Sequence, residues 1–222
     1  MEENMKKTGK VYGYWAGGLL VAFALWTALV CTVDVQAIGP NGSCVGLASV
    51  NAFFHELTGV HMSLYVWTDW LSLVPVGFGA GFALLGLGQW IRRRSRRGVD
   101  GSIWLLGGFY LAVLAAYLAF ETVAVNYRPI LIQGVLEISY PSSTTMLVMC
   151  IMPTAMMQLH GRIRHAALRR LTVGAMTVFS VGMVVGRLIS GVHWVTDIIG
   201  GALLSASLVM MYAALCCFCD KK

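Results

Sequence analysis

Charge is scarce in this chain. Only 12% of its 222 residues are charged, against 58% that are hydrophobic, and the mean hydropathy is +0.73. A soluble domain of this size cannot hide so much apolar surface, so a water-solvated globule is excluded and a bilayer must solvate much of the chain. The six cysteines lack any metal-site spacing. Internal repeats, low-complexity tracts and the composition break of a second domain are lacking too. The first apolar run has no small-residue cleavage site and is too long for a removed signal peptide, which predicts a retained helix.

What is present is a series of apolar runs, each near the roughly 20 residues that a helix needs to cross a bilayer. They cover about 11–33, 64–91, 102–125, 144–159, 171–189 and 198–218. The expected fold is an all-α polytopic membrane protein, a six-transmembrane-helix bundle forming one membrane domain over 1–222. Between the first two spans, GLASVNAFFHELTGVHM is of mixed polarity and predicts a short helix in the interface plane. Asn41 begins an Asn-Gly-Ser glycosylation pattern, which is a weak signal. The glycine-rich GFGAGFALLGLG (77–88) lies inside an apolar span and reads as close helix packing, not nucleotide binding.

Lysine and arginine orient the spans. With the N-terminus in the cytoplasm, Lys6, Lys7 and Lys10, the RRRSRRG loop (92–98), the HGRIRHAALRR loop (160–170) and Lys221 and Lys222 all fall inside. That is 14 of the 16 basic residues. The net charge of +6 is therefore a topology signal, and nucleic-acid binding has no support. The expected location is a bacterial cell membrane with both termini cytoplasmic. Cys31 and Cys44 both fall outside, and their spacing leaves the connectivity open.

The two exceptions are Arg128 and Arg187, both near outer span ends. The bland alternative for them is a pair of structural salt bridges. Their neighbours favour a site. Pro129 disfavours helical geometry at Arg128, so the third span ends there. Pro141 followed by Ser142, Ser143, Thr144 and Thr145 reads as a helix start with hydroxyls and free backbone amides, an arrangement that attracts anions. In VGRLISGVHWVTDIIGG (185–201), Asp197 follows His193 by four residues. If helical, the two share a face, and the carboxylate fixes the tautomer and raises the basicity of the imidazole. Arginines clamp phosphate oxygens in bidentate fashion, amides add donors, and an oriented histidine supplies a nucleophile. His55, Glu56 and His61 also fall outside and are further candidates to complete the site.

These residues resemble the motifs of the type-2 phosphatidic acid phosphatase superfamily, integral-membrane lipid phosphatases related to vanadium haloperoxidases. That family carries a lysine, six residues and Arg-Pro; then Pro-Ser-Gly-His; then Ser-Arg, five residues, His, three residues and Asp. Here the third motif reads GRLISGVHWVTD, with Gly186 in place of the serine. The resemblance spans about 121–201 by motif and the whole chain by span layout. It implies that His193 is the nucleophile, forming a phosphohistidine, and that Asp197 orients it. It implies that Arg128 and Arg187 hold the phosphoryl oxygens, with Ser142, Ser143 and Thr144 completing the cradle. No metal and no cofactor is called for.

Two departures stand out. Glu121 occupies the place of the first motif's lysine, and PSST puts Thr144 where the second motif has its histidine. In the family that histidine is the general acid, and threonine has no suitable pKa for the task. A diphosphate leaves with less help than a lipid alkoxide, so a polyprenyl diphosphate is the expected substrate over a phosphatidate-like monophosphate. Three functions follow from the pattern. The chain hydrolyses a lipid phosphate or diphosphate at the outer face, passes the head group to an alcohol acceptor, or binds lipid phosphates without catalysis.

Overall fold

The computed structural model describes residues 2–95 and 98–219. Arg96, Arg97, Lys221 and Lys222 of the expected cytoplasmic clusters lie outside the described residues. The architecture is all-α: α1 (Glu2–Thr32), α2 (Ala48–Thr58), α3 (Met62–Leu71), α4 (Leu73–Arg93), α5 (Gly101–Thr122), α6 (Ser143–Arg162), α7 (Ala166–Ile189) and α8 (Val195–Cys219). Isolated β-bridges occur in two places, in the α1–α2 connection and in a small hairpin over 127–138.

Five segments are long and apolar enough to cross a membrane: Glu3–Thr32, Met62–Arg93, Gly101–Thr122, Ala166–Ile189 and Val195–Cys219. The expected count was six. The segment that does not qualify is α6, and its position explains why. Thr144, Thr145, Thr154 and Gln158 lower its hydropathy, and all four are buried. Val148, Cys150, Met152 and Ala155 of α6 pack with Phe82 of α4, Leu106 and Phe109 of α5, and Tyr212 of α8. A helix enclosed by other helices needs no lipid-facing apolar surface, so it can carry polar side chains that bond within the bundle. The other helices turn large apolar side chains outward, among them Trp15, Leu25, Leu111, Leu171 and Val178.

The expected second span divides at Ser72 into α3 and α4. Pro75 has no N–H to donate to the carbonyl four residues earlier, and the ladder breaks there. A short helix, α2 (Ala48–Thr58), lies within the segment between the first two expected spans. Cys31 and Cys44 are both free.

The chain ends pair up. α1 runs antiparallel to α8: Gly9 lies against Cys217 and Phe218, the Ser207 hydroxyl donates to the Ala16 carbonyl (2.8 Å), and the Trp26 indole donates to the Thr196 carbonyl (3.1 Å). The start of α1, the α4–α5 and α6–α7 connections and the end of α8 therefore gather at one end of the bundle. The α5–α6 hairpin, the α2–α3 link and the α7–α8 turn gather at the other.

Candidate active site

The α7–α8 turn is built by a backbone that leaves the helix. α7 ends at Ile189, Gly191 takes φ +67°, and α8 begins at Val195. A Cβ on Gly191 would lie 2.0 Å from the Gly59 carbonyl oxygen, so the turn nests against the α2–α3 link only because this residue has no side chain. His193 therefore sits in the turn, not on one helical face with Asp197 as the spacing suggested. The pair still meets: His193 Nδ1 is 3.6 Å from Asp197 Oδ2, just beyond hydrogen-bond distance.

Asp197 is fully buried and serves two neighbours. Its Oδ2 accepts from the Trp194 amide (2.9 Å), the reach-back half of a capping box, and its Oδ1 accepts from Asn126 Nδ2 (3.3 Å). Asn126 also donates to Thr196 Oγ1 (3.3 Å) and accepts from the Gly46 amide (3.2 Å). Asn51 donates to Thr196 Oγ1 (3.0 Å) and to the Gly46 carbonyl (2.8 Å). All of these side chains are buried, and together they tie α2 and the α5–α6 hairpin to the start of α8. Sequence reasoning found neither asparagine.

The hairpin carries Arg128 to the turn. Gln133 and Gly134 take positive φ between the bridged Ile132 and Val135, as a tight two-residue turn requires. Trp194 Nε1 donates to the Tyr127 carbonyl (2.7 Å), which pins the next residue beside His193. Arg128 Nη1 is 3.2 Å from His193 Nε2. A guanidinium only donates, so Nε2 holds its lone pair and the imidazole proton sits on Nδ1, facing Asp197. Burial, with the Arg128 charge adding to it and Asp197 opposing it, lowers the His193 pKa to about 4. The ring is neutral at pH 7.

Arg128 Nε is 2.8 Å from Glu137 Oε2 but out of hydrogen-bond alignment. Arg187, only 2% exposed, donates to Thr68 Oγ1 (3.1 Å) and to Asp69 Oδ1 (3.5 Å), and its Nε has no hydrogen-bond partner. The ring of Tyr65 supports both arginines, with its centroid 4.7 Å from the Arg187 guanidinium carbon and 5.9 Å from that of Arg128. Tyr65, Thr68 and Asp69 share one face of α3. Sequence reasoning missed all three, although a lone aspartate inside an apolar span is itself a functional signal.

Two cavities adjoin at this place. One, of about 390 Å³, is lined by His193, Arg128, Glu121, Glu137 and Ser143. The other, of about 400 Å³, is lined by Arg187, Asp69, Thr144 and the apolar Leu114, Leu147 and Ile151. Arg128, Tyr117, Ser143 and Met146 line both. Of the expected cradle, Ser143 and Thr144 therefore reach a cavity. Ser142 is fully buried and caps α6, its Oγ accepting from the Thr145 amide (3.5 Å) and hydroxyl (3.1 Å). His55 packs its ring against Trp194 (5.4 Å between centroids), and His61 Nε2 lies 2.9 Å from the Thr58 carbonyl oxygen. Neither lines these cavities. Among the described residues, no group of three or more His, Cys, Asp or Glu side chains is placed to hold a metal ion.

The model of the PAP2 superfamily matches residues 76–217, which takes in the hairpin arginine, the α6 start and the α7–α8 turn. This chain belongs to the PAP2 superfamily. Its fold is similar to that of a transmembrane PAP2-type phosphatidylglycerolphosphate phosphatase from Bacillus subtilis, at 20% sequence identity and a TM-score of 0.50, over 90% of this chain and 94% of that one. None of the curated proteins matches.

Proposed function

We propose that this PAP2 protein is a membrane-embedded lipid phosphatase acting through a phosphohistidine at His193. The observation that carries this reading is the neutral, buried imidazole whose free Nε2 meets Arg128 at the wall of a cavity. Family membership and the Bacillus subtilis fold neighbour support the same class.

In the mechanism, a phosphate enters between Arg128 and Arg187, and Arg128 Nη1 moves from the imidazole to a phosphoryl oxygen. Nε2, released, attacks phosphorus in line with the lipid oxygen. The P–N bond forms as the P–O bond breaks, and the departing alkoxide takes a proton from water in the open cavity. Positive charge on the ring is balanced by Asp197 beside Nδ1. Water then attacks the phosphohistidine, and inorganic phosphate leaves with His193 neutral again. The apolar side of the second cavity, with Leu114, Leu147 and Ile151, suits the lipid chain.

We place six helices across the bilayer, with α6 as the enclosed sixth, and α2 in the interface plane. The termini are cytoplasmic and the site opens on the outer face, because the basic residues crowd the opposite end of the bundle. The diphosphate preference rested on Thr144 alone. The carboxylates of Glu121, Glu137 and Asp69 around the cavities oppose the extra charge of a polyprenyl diphosphate, so the substrate class proposed is a lipid phosphate monoester.

The test is trapping with a ³²P-labelled lipid phosphate, quenched rapidly in alkaline detergent. Acid-labile, base-stable label in the wild type and none in His193→Gln is the expected result. Turnover without label, or label that persists in His193→Gln, overturns the mechanism. Adding alcohol acceptors to the same assay exposes head-group transfer, since a transferase moves the label to the alcohol in place of releasing phosphate.

A further inference from the structure

The charges around the cavities do not suit a plain anion. Arg128 already faces Glu137 at 2.8 Å, and Arg187 faces Asp69 at 3.5 Å. A third carboxylate, Glu121, lines the His193 cavity, and among the described residues no lysine or arginine stands within ion-pair distance of it. Two arginines thus confront three carboxylates, with Asp197 behind His193 as a fourth. A phosphate held on the two arginines leaves Glu121 without a cationic partner.

Aromatic groups accompany the unpaired carboxylate. Tyr117 stands one turn before Glu121 on α5, and it lines the same cavity as Phe120 and Tyr140. Carboxylate beside aromatic faces is the chemistry that recognises an ammonium group, through charge and through the ring quadrupoles. The cavity volume of about 390 Å³ leaves room for a small head group beside the phosphate.

We infer that this site takes a phosphate ester that also carries an ammonium group a few bonds from phosphorus, with the phosphate on Arg128 and Arg187 and the ammonium on Glu121, Tyr117 and Phe120. The inference rests on the lipid-phosphatase reading for the role of the phosphate end. Such a ligand is zwitterionic, and each of its charges meets the opposite sign. It also gives Glu121 a task in place of the lysine that the family motif has there. The lysine would add to phosphate binding, whereas the glutamate selects what is attached to the phosphate.

The experiment compares a long-chain 2-aminoalkyl phosphate with its N-acetyl derivative, which differs by loss of the positive charge. Binding is measured with the His193→Gln protein in detergent, and kcat/KM with the wild type. A preference of about tenfold or more for the amine is expected in both measurements. In Glu121→Gln the ratio should fall towards one, and in Glu121→Lys it should invert. Equal affinity for amine and N-acetyl ligand overturns the inference, as does a Glu121→Gln effect that lowers both substrates alike, which marks Glu121 as a proton donor. The amine preference in binding without any turnover sinks the phosphatase reading and leaves this one standing. Competition by phosphatidylethanolamine vesicles, against phosphatidylglycerol vesicles as control, distinguishes the source of the ammonium. Competition by the former assigns the site to a diester head group. Its absence, with the amine preference intact, assigns it to a lipid amine phosphate.

Discussion

Arginine meets carboxylate at both ends of this bundle, with opposite meanings. At the basic end, Arg93 and Arg162 approach Asp100 at 3.2 Å and 3.9 Å, and the three side chains are 53%, 31% and 42% exposed. At the other end, Arg187 and Arg128 are 2% and 9% exposed at the side chain. Exposed pairs contribute about 0–1 kcal/mol and are screened by salt. Buried charges cost several kcal/mol in desolvation, which imperfect pairs do not recover. Arg187 meets its aspartate at the long distance of 3.5 Å and keeps an unpartnered Nε. Stability alone does not account for such a pair. In the reading proposed above, the basic end lies at the cytoplasmic membrane surface and the buried end is held ready for a ligand.

The strongest way to break this contrast is at the histidine. His193→Ala should abolish turnover while the protein still elutes as a folded species. Asp197→Asn should lower kcat by about 10⁴-fold if the precedent of serine-protease triads transfers, because the amide no longer holds the Nδ1–H tautomer. Measurable turnover in His193→Ala at the wild-type rate would remove the site altogether.

Conservative arginine exchanges sharpen the comparison directly. Arg187→Lys should lower kcat/KM by roughly 10- to 100-fold, since a point charge loses the planar fork that meets Thr68, Asp69 and phosphate together. Arg162→Lys, at the basic end, should stay within about 0.5 kcal/mol in stability and near the wild-type rate. Equal losses at the two positions would show that burial at the site has no bearing on function.

Next in size is the asparagine network. Asn126→Ala strands Asp197 Oδ1 and the Gly46 amide in a buried place, at a cost of about 1–3 kcal/mol. Thermal unfolding should report that loss. Ser139, whose amide bonds the Asn126 backbone carbonyl, keeps its partner in this variant, so the hairpin survives.

The contrast can also be tested through pH dependence. The unfolded His193 titrates near the ordinary imidazole value of 6.5 and the folded one at about 4. The unfolded state therefore binds more protons between these values, and stability falls as pH drops from about 6.5 to 4. In ¹⁵N-histidine spectra, the resonance absent from His193→Gln should stay neutral at pH 5 and shift only near pH 4. An ordinary midpoint near 6.5 would mean that the turn is open to water.

Much of this was legible along the chain because a bilayer imposes a local code. A span must be apolar over its own length, and basic residues must lie on one side, so helix positions and the two aberrant arginines could be read without knowing any contact. The reading missed where a helix is solvated by protein instead of lipid, which is why α6 is more polar than a lipid-facing span. It also missed where one residue alters the path: Gly191 moves His193 off the helical face that the four-residue spacing implied.

The sequence by itself determined the all-α membrane class, the helix positions, and Arg128, Arg187, His193 and Asp197 as the residues that do not belong in lipid. Only the tertiary structure decided which neighbours they have. Tyr65, Thr68 and Asp69 lie on α3, Asn51 on α2, and Asn126 and Glu137 in the hairpin, far apart along the chain and without any shared periodicity. Packing brings them to one place because buried polar groups must find partners wherever the folded chain supplies them. Local pattern reports the solvent of each segment, and it holds no record of which segments will meet.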